Sequence, residues 1–287
     1  MNALPSLPRT TRGVLWMTAA SLFFAIGYIP VRELSPSFTA YEMVFYRSLI
    51  TVIAMLPWVA RTGLRHLRTR RTVLYGCRAV LSYAGMVCLF YGIANMPLAD
   101  ATALIFTAPL FTVVIASWTL GDPVGAHRWG AILAGFSGAL IIIRPSFVEV
   151  SWPLLAVMFT AVSYGAVNAA TRALTLTEDR NAVVFYMFAM MLPIGIGPTI
   201  YFAAVPTLPE AGWLLLLGIS TLFSQQCITR AFAETTAAVV TPAFYLQLPI
   251  IAAFAFALYG EEPVVWTWIG GAAIAASAYY VVRRETR

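Results

Sequence analysis

The chain has 287 residues, of which 60% are hydrophobic and only 10% are charged. A water-soluble domain carries roughly 25% charged residues because its surface must be hydrated, so this composition excludes a soluble globule. The formal net charge of +6 would suggest a nucleic-acid partner in a soluble chain, but here all eighteen basic residues are arginines. In a membrane protein, arginines in the loops set the orientation of the helices, which explains the positive charge without a nucleic-acid partner. We therefore expect an all-α protein in a lipid bilayer.

Apolar blocks of about twenty residues follow one another along the chain, which is the length needed to cross roughly 30 Å of hydrocarbon. Every backbone N–H and C=O inside a bilayer must be paired within its own segment, so helices are the default for such blocks. The connections between blocks are short, which predicts a multi-pass protein without a separate soluble domain. The ten candidate spans, numbered 1 to 10, cover residues 13–33, 41–60, 73–93, 99–119, 127–144, 152–173, 181–203, 211–231, 237–258 and 264–282.

Arginine placement predicts the orientation of these spans, because cytoplasmic loops of membrane proteins carry an excess of basic residues. With both termini in the cytoplasm, fourteen arginines fall on the cytoplasmic side and only Arg32 and Arg144 fall on the other, while Arg47 and Arg78 lie inside spans. The densest cluster, RTGLRHLRTRR at 61–71, fits a cytoplasmic loop that sets orientation better than a patch that binds lipid or nucleic acid.

Several landmarks recur at a constant shift of 140 residues, nearly half the chain, and the span boundaries superpose at the same shift. Residues 1–145 and 146–287 would then each hold five helices, and an odd number makes the second half enter the membrane from the opposite side. Inverted repeats are characteristic of secondary transporters, which bind substrate between the halves and alternate access to it. The matched pairs are Arg32 with Arg172, the Val-Phe-Tyr triplet at 44–46 with 184–186, Pro109 with Pro249, Pro123-Val124 with Pro263-Val264, and Gly130 with Gly270.

Two long segments resemble a known family. PLADATALIFTAPLFTVVIASWTLGDPVGAHRWGAILAGFSGALIIIRP (97–145) and AAVVTPAFYLQLPIIAAFAFALYGEEPVVWTWIGGAAIAASAYYVVRR (237–284) each hold a proline-bearing helix, a short turn with glycine and an acidic residue, and a glycine-rich helix. This order resembles the EamA-type repeat of the drug/metabolite transporter superfamily, although Asp122 stands where the family usually has glutamate. Within the superfamily the chain looks most like YddG-type aromatic amino acid exporters.

The resemblance implies that spans 1, 3, 4, 6, 8 and 9 surround a central cavity, with spans 5 and 10 at the periphery. Aromatic and amide side chains lie near the middle of the cavity spans, and they are candidates for binding the side chain, carboxylate and amine of an amino acid. Because an unpaired amide is expensive in hydrocarbon, bonding between helices and core packing are the alternative roles. The candidates are Tyr83, Phe106, Tyr164, Asn168, Gln225, Gln226, Tyr245 and Gln247.

Two arginines lie inside predicted spans, where a charge is a candidate functional group by default. Arg47 is about two turns into span 2, and the matched position of the second half holds Met187, so the symmetry of the fold does not require it. A role in transport and a role as an interfacial anchor near Glu42 are equally open for Arg47. Arg78, near the cytoplasmic end of span 3, reaches the interface more easily, which favours a structural role.

Prolines interrupt two predicted spans at matched places. Pro109 lies in span 4 and Pro249 in span 9, and Pro242 predicts a second break in span 9. Because proline removes a helical hydrogen bond, these positions are candidates for hinges or for fixed kinks that shape the cavity.

Small residues spaced four apart mark spans 5 and 10. Gly130, Ala134 and Gly138 share one face of span 5, and Gly271 and Ala275 share a face of span 10. Such faces indicate close helix packing, either within a monomer or in a weak homodimer through these two spans.

The residues inside the predicted spans also indicate the kind of transport. No aspartate or glutamate lies at the middle of a span, which favours a facilitator of neutral or zwitterionic substrates over a proton-coupled carrier. Phosphate-binding loops, catalytic motifs and metal-type spacing are missing, so we expect neither an ATP-driven pump nor an enzyme, and no cofactor or metal. We expect a bacterial inner-membrane exporter of a small molecule, with aromatic or other neutral amino acids first. A lipid or polyprenyl-linked flippase and an efflux carrier for drug-like compounds are the alternatives.

Overall fold

The computed structural model describes residues 7–63, 67–96, 101, 104–122, 124–143, 150–202, 206–260, 262 and 265–285. Within these ranges all regular secondary structure is helical. In chain order the helices are α1 Arg9–Leu34, α2 Ala40–Thr62, α3 Thr72–Asn95, α4 Ala108–Leu120, α5 Ala126–Ile143, α6 Trp152–Thr175, α7 Arg180–Phe202, α8 Leu208–Glu234, α9 Ala237–Phe244, α10 Gln247–Tyr259 and α11 Val265–Glu285.

Eight helical units of the described chain are long and apolar enough to cross a membrane. They are α1, α2, α3, α5, α6, α7 and α8, with α9 and α10 counted together over Ala237–Tyr259. The helix α4 is a shorter apolar helix of 13 residues, and α11 is not among the eight. The all-helical, multi-pass class is therefore confirmed, while the count of ten spans and their orientation stay predictions.

Two predicted spans are each divided into two helical segments, where the sequence predicted one span with a hinge or a fixed kink at its proline. In span 9, α9 ends at Phe244 and α10 begins at Gln247. In span 4, a turn at Phe106 and Thr107 separates α4 from the helical residues 101, 104 and 105. Both halves of the chain therefore contain a helix broken at nearly the same place.

Prolines explain where the second segment of each broken helix begins. Pro109 and Pro249 lie in the first turn of α4 and of α10, where a missing N–H has no helical partner in any case. They start a helix and do not kink one in its middle. Pro242 lies inside α9, which continues through it to Phe244, so the second break predicted at Pro242 is wrong.

Helix pairings occur in matched sets across the two halves of the chain. The helix α1 packs along α8 as α6 packs along α3, and α2 contacts α8 as α7 contacts α3. The pairs α2–α7 and α5–α11 each join corresponding helices of the two halves. Exchanging α1, α2, α3 and α5 with α6, α7, α8 and α11 therefore maps these pairings onto one another.

The helices α5 and α11 approach each other at two glycines. A Cβ added to Gly138 would lie 2.8 Å from the carbonyl oxygen of Gly270, and a Cβ on Gly270 would clash with the carbonyl of Gly138. The small-residue faces thus pack within one chain. Gly138 belongs to the face named from the sequence, but Gly130 has open space and Gly271 faces Pro249, so the partner of Gly138 is Gly270 and not Gly271. A homodimer through these helices stays a prediction.

Ion pairs join several helices at one end of the bundle, which we name the Arg12 end. Arg12 of α1 lies 2.8 Å from Glu234 at the end of α8, and Arg180 at the start of α7 lies 3.8 Å from the same carboxylate. Arg172 of α6 pairs with Asp122, directly after α4, at 3.4 Å. The Arg12–Glu234 and Arg172–Asp122 pairs hold helices of the first half against helices of the second, whereas the Arg180–Glu234 pair lies within the second half.

The opposite end of the bundle, the Arg32 end, carries local contacts and one cross-half contact. The Arg32 guanidinium lies 4.0 Å from the ring centre of Tyr259 on α10, and the Tyr259 hydroxyl donates to Glu33 at 2.9 Å. Thr39 and Glu42 form a capping box that starts α2. Such a box satisfies N–H groups that have no partner within the helix.

Candidate substrate-binding site

Arg47 is the eighth residue of α2, about 10 Å along the helix from its first residue. Its Nη2 donates to Sδ of Met86 on α3 at 3.4 Å, and its Nε is buried with no hydrogen-bond partner among the described residues. Glu42 is bonded elsewhere, because its Oε2 accepts from the backbone N–H and the hydroxyl of Thr39. The Arg47 side chain is therefore turned toward α3 inside the bundle.

Two tyrosines accompany Arg47. The ring of Tyr164 on α6 lies against Gly85 of α3, and its hydroxyl is within electrostatic range of the Arg47 guanidinium. Tyr28 of α1 is in turn within electrostatic range of Tyr164, and 50% of the Tyr28 side chain is exposed. We name Arg47, Met86, Tyr164 and Tyr28 the arginine–tyrosine group. It joins three helices of the first half to α6 of the second.

Asn168 lies one turn beyond Tyr164 on α6, and residues four apart share a face of a helix. Its Nδ2 is 3.4 Å from Oγ1 of Thr112 on α4, and the Thr112 hydroxyl donates to the carbonyl of Ala108 at 3.0 Å. The bond to Thr112 is long, so the Asn168 amide is held weakly and retains capacity for another partner.

Arg78 occupies a different environment from Arg47. It is 1% exposed, its Nη1 donates to the carbonyl of Val183 at 2.9 Å, and its Nη2 donates to Sδ of Met187 at 3.2 Å. Both acceptors belong to α7, so Arg78 fastens α3 to α7. The guanidinium therefore does not reach the membrane interface, as its place near the end of span 3 suggested, but contacts α7 inside the bundle.

The other cavity candidates are spread over the bundle. Tyr83 lies three residues before Met86, and its buried hydroxyl has no partner among the described residues, while its ring approaches Gly195 of α7. On α8, Gln225 and Gln226 are partly buried, and Oε1 of Gln226 is buried without a partner in the same part of the chain. No described contact joins either glutamine to the arginine–tyrosine group.

Phe106 and Tyr245 belong to a packed core instead of a cavity. Their rings stack with centroids 6.0 Å apart, and they share a buried cluster with Ala139 of α5 and Ile274 of α11. Gln247, two residues after Tyr245, is buried as the first residue of α10. The resemblance placed these residues around the cavity, whereas the helix break turns Phe106 and Tyr245 toward the α5–α11 pair.

Three members of the site were not predicted from the sequence. Tyr28 lies near the end of span 1, where tyrosine is common as an interfacial residue. Met86 and Thr112 are ordinary residues of a membrane core, and neither stands out in the sequence. Tyr28 and Arg47 lie at similar distances along the sequence from the connection between α1 and α2, which places them at a similar depth in the bundle. This spacing is the sequence signal that could have paired them.

The chemistry that this site offers is binding and orientation. It presents a guanidinium, two phenol hydroxyls and an amide, which donate or accept hydrogen bonds, beside aromatic faces. No group of three or more His, Cys, Asp or Glu side chains that could hold a metal ion occurs within the described residues. The site has the character of a ligand site between helices.

The fold and the site define a multi-pass membrane protein with polar side chains placed between its helices, and comparison with known proteins identifies the class. The sequence model of the EamA-like transporter family matches residues 11–144 and residues 151–283. The chain belongs to the EamA-like transporter family. It is a transporter and not an enzyme.

Several curated relatives align along nearly their whole length. A riboflavin transporter of Rhizobium johnstonii is 30% identical over 97% of this chain and 93% of its own. The pseudopaline exporter CntI of Pseudomonas aeruginosa is 30% identical over 95% of this chain and 96% of its own. An S-adenosylmethionine uptake transporter of Rickettsia prowazekii is 24% identical, with 96% and 94% covered. The chain is therefore a multi-pass bacterial membrane transporter of small metabolites.

A solved crystal structure shows the same fold. It superposes with a TM-score of 0.82 at 15% sequence identity, covering 96% of this chain and 99% of the other. The relatives named above carry three different metabolites in their names, so the narrower resemblance to aromatic amino acid exporters stays a prediction.

Proposed function

We propose that this transporter is an alternating-access carrier of ten spans in a bacterial inner membrane, with both termini in the cytoplasm. It is built from two inverted five-helix halves, residues 1–145 and 146–287. The family match in each half and the matched helix pairings of the two halves support this proposal. Both halves also end their second broken-helix segment at a glycine with φ of 67°, Gly121 and Gly260, a left-handed conformation that glycine adopts at little cost.

Its substrates are amino-acid-like metabolites, with aromatic or other neutral amino acids as the first candidates. The observation that carries this proposal is the arginine–tyrosine group, with Asn168 on the same face of α6, inside the bundle between helices of both halves. Carriers built from inverted repeats bind substrate at that interface. The guanidinium and amide suit a carboxylate and an amine, and the rings of Tyr28 and Tyr164 suit a flat or apolar side chain.

The ion pairs of the Arg12 end act as the closed gate of the carrier. They join Arg12 on α1 to Glu234 on α8, and Asp122 after α4 to Arg172 on α6, so each links one half to the other. If the halves rock against each other, these contacts must break for the site to open at the Arg12 end. The exposed face of Tyr28 near the Arg32 end is consistent with access from that side.

Transport by the purified protein in liposomes tests the proposal. Counterflow of labelled phenylalanine, leucine, riboflavin and S-adenosylmethionine is measured with no ion gradient, against liposomes without protein. We expect saturable, protein-dependent flux of the amino acids. The same assay with a pH gradient imposed and then collapsed should show no gradient-driven accumulation, because the predicted spans hold no acidic residue at mid-membrane.

The outcomes separate the candidate functions. Flux of riboflavin or S-adenosylmethionine alone would replace the amino acid proposal with that substrate. Movement of a fluorescent lipid between leaflets, without flux of any of the four metabolites, would favour the flippase, and flux of drug-like cations alone would favour an efflux carrier. Accumulation driven by the pH gradient would overturn the facilitator mechanism.

A further inference from the structure

The Arg47 guanidinium has more hydrogen-bond donors than the protein around it accepts. Arginine carries five N–H donors, and the described residues supply one hydrogen-bond acceptor, the thioether sulfur of Met86 at 3.4 Å. A thioether is a weak acceptor, and Nε of Arg47 is buried without a partner. A guanidinium inside a membrane bundle with so little compensation is costly unless another group completes it.

The described side chains around Arg47 do not neutralise the charge of its guanidinium. Tyr164, an uncharged phenol, lies within electrostatic range of it, and within the described residues no carboxylate forms an ion pair with it. Glu42, the nearest acid along α2, is bonded to Thr39. The protein therefore supplies a cation here and no anion.

Arg78 provides an internal comparison on the neighbouring helix. It also contacts a methionine sulfur and also has a buried Nε without a partner among the described residues, but it is 1% exposed and donates a 2.9 Å bond to the Val183 carbonyl. Arg47 is partly exposed and has no such carbonyl partner among the described residues. Arg78 holds α3 and α7 together with its guanidinium, whereas Arg47 has donors left for a ligand.

We infer that Arg47 is the subsite for a carboxylate of the transported molecule, so that the substrate class is small organic carboxylates with a flat or apolar body held by Tyr28 and Tyr164. This inference rests on the proposed function and specifies which part of the substrate the site recognises. The planar guanidinium matches a carboxylate through two parallel hydrogen bonds. Met86 orients the guanidinium without neutralising it.

The charge at the site favours a carboxylate over a phosphate. A phosphate monoester carries close to two negative charges at neutral pH, and proteins usually meet it with several cations or helix N-termini. Arg47 acts alone, because the donors of Arg78 are directed to α7. A single guanidinium balances one carboxylate, which also argues against a polyprenyl phosphate as the substrate.

Matched acids and amides test this inference. The probes are L-phenylalanine, L-leucine and 3-phenylpropionate, each beside its primary amide, which keeps the size but removes the negative charge. Binding to the purified protein is measured by calorimetry, and riboflavin, which lacks a carboxylate, is followed in the liposome assay. We expect at least one acid to bind roughly tenfold to a hundredfold more tightly than its amide, as for a hydrogen bond to a charged group.

Variants then assign the preference to Arg47. In Arg47→Met, which copies the residue at the matched position of the second half, and in Arg47→Gln, the ratio of acid to amide affinity should fall close to one. Arg32→Met is the matched control, since Arg32 lies at an exposed helix end outside the site, and it should keep the wild-type ratio. The Gln variant decides the question if the Met variant does not yield a monodisperse protein.

The possible failures are distinguishable. Equal binding of acids and amides by the wild type, or flux of riboflavin without binding of any acid, overturns the carboxylate subsite while transport of small metabolites stands. A preference that survives in both Arg47 variants also overturns it, because another group must then recognise the carboxylate. No flux of any metabolite in the wild type overturns the proposed function itself.

Discussion

The hydroxyl of Tyr245 donates to the backbone carbonyl of Phe106 at 3.2 Å, and the two rings stack on each other. Tyr245 follows the last residue of α9, and Phe106 lies in the turn before α4, so the bond joins the two helix breaks of the two halves. A carbonyl at a helix break has no helical partner, and it needs another donor when it is buried. The side chain of one half thus stabilises the break in the other.

Replacing Tyr245 with phenylalanine should destabilise the protein without abolishing transport. The Tyr245→Phe change keeps the stacked ring but leaves the Phe106 carbonyl without its donor, which should lower the free energy of unfolding by about 1–2 kcal/mol. Chemical denaturation in detergent measures the loss. Tyr259→Phe is the control, because that hydroxyl lies at an exposed helix end, and it should cost only a few tenths of a kcal/mol. Loss of transport with unchanged stability in Tyr245→Phe would instead indicate that Tyr245 binds the substrate.

The helix breaks show what the sequence could and could not predict. Pro109 and Pro249 mark the region of each break, because a proline in the interior of a helix removes one backbone hydrogen bond. The sequence does not tell whether the helix bends or ends, because both solutions satisfy the backbone. It also cannot show that Phe106 and Tyr245 meet across the break, since their contact depends on how two distant segments pack.

Alanine at Gly138 should destabilise the α5–α11 pair, whereas alanine at Gly130 should not. A Cβ at Gly138 would lie 2.8 Å from the Gly270 carbonyl, and backbone cannot move aside as a flexible side chain can. Overpacking of this kind costs about 1–3 kcal/mol. At Gly130 a Cβ meets open space, and alanine gains up to about 1 kcal/mol of helix propensity. Denaturation of the two variants under one set of conditions checks the opposite signs, and a loss of equal size at both positions would contradict the packing described.

The same glycines limit what a spacing pattern can specify. Residues four apart predicted that spans 5 and 10 pack closely, and the structure pairs α5 with α11. Gly130 and Gly138 share one face, so the pattern could not tell which of them meets the neighbouring helix, because that depends on where the two helices cross. It also could not select Gly270 over Gly271, because that choice depends on the rotation of α11 about its axis. For Arg47, the sequence shows a charge inside an apolar run. It does not show where the side chain points, because that depends on Met86 and Tyr164 of other helices.

Removing the Glu234 carboxylate should open the Arg12 end more often. Glu234 pairs with Arg12 of the first half and with Arg180 of its own half, so Glu234→Gln weakens the contact between the halves by up to about 1 kcal/mol, the value for partly exposed pairs. That change multiplies the open population by about five. Cys227 lies in the core between α1 and α8 and is 4% exposed, so its reaction with a maleimide reports the opening.

The labelling experiment uses a chain in which Cys77 and Cys88 are replaced with serine, which leaves Cys227 as the reactive thiol. We expect several-fold faster labelling of Cys227 in Glu234→Gln than in the parent chain. Glu33→Gln makes the same acid-to-amide change at the Arg32 end and should leave the rate unchanged. Equal rates in all three proteins would show that the ion pairs do not hold the Arg12 end closed.

Methionine at Arg47 should cost the protein less stability than methionine at Arg78, and it should even stabilise the fold. Both changes remove a guanidinium from the interior, and the relief from desolvation is larger at the more deeply buried Arg78, which offsets part of the difference. Arg78→Met also removes a 2.9 Å charge-assisted bond to the Val183 carbonyl, worth about 1.5–3 kcal/mol, whereas Arg47→Met removes only a contact with a thioether sulfur.

The free energies of unfolding of the two variants, measured in one detergent, should therefore differ by about 2 kcal/mol in favour of Arg47→Met. A residue retained for substrate binding commonly costs stability, because its polar groups are not fully satisfied until the substrate arrives. Stability gained together with acid preference lost in Arg47→Met would be the signature of such a residue. Equal destabilisation by both variants would instead place Arg47 beside Arg78 as a residue that fastens helices together.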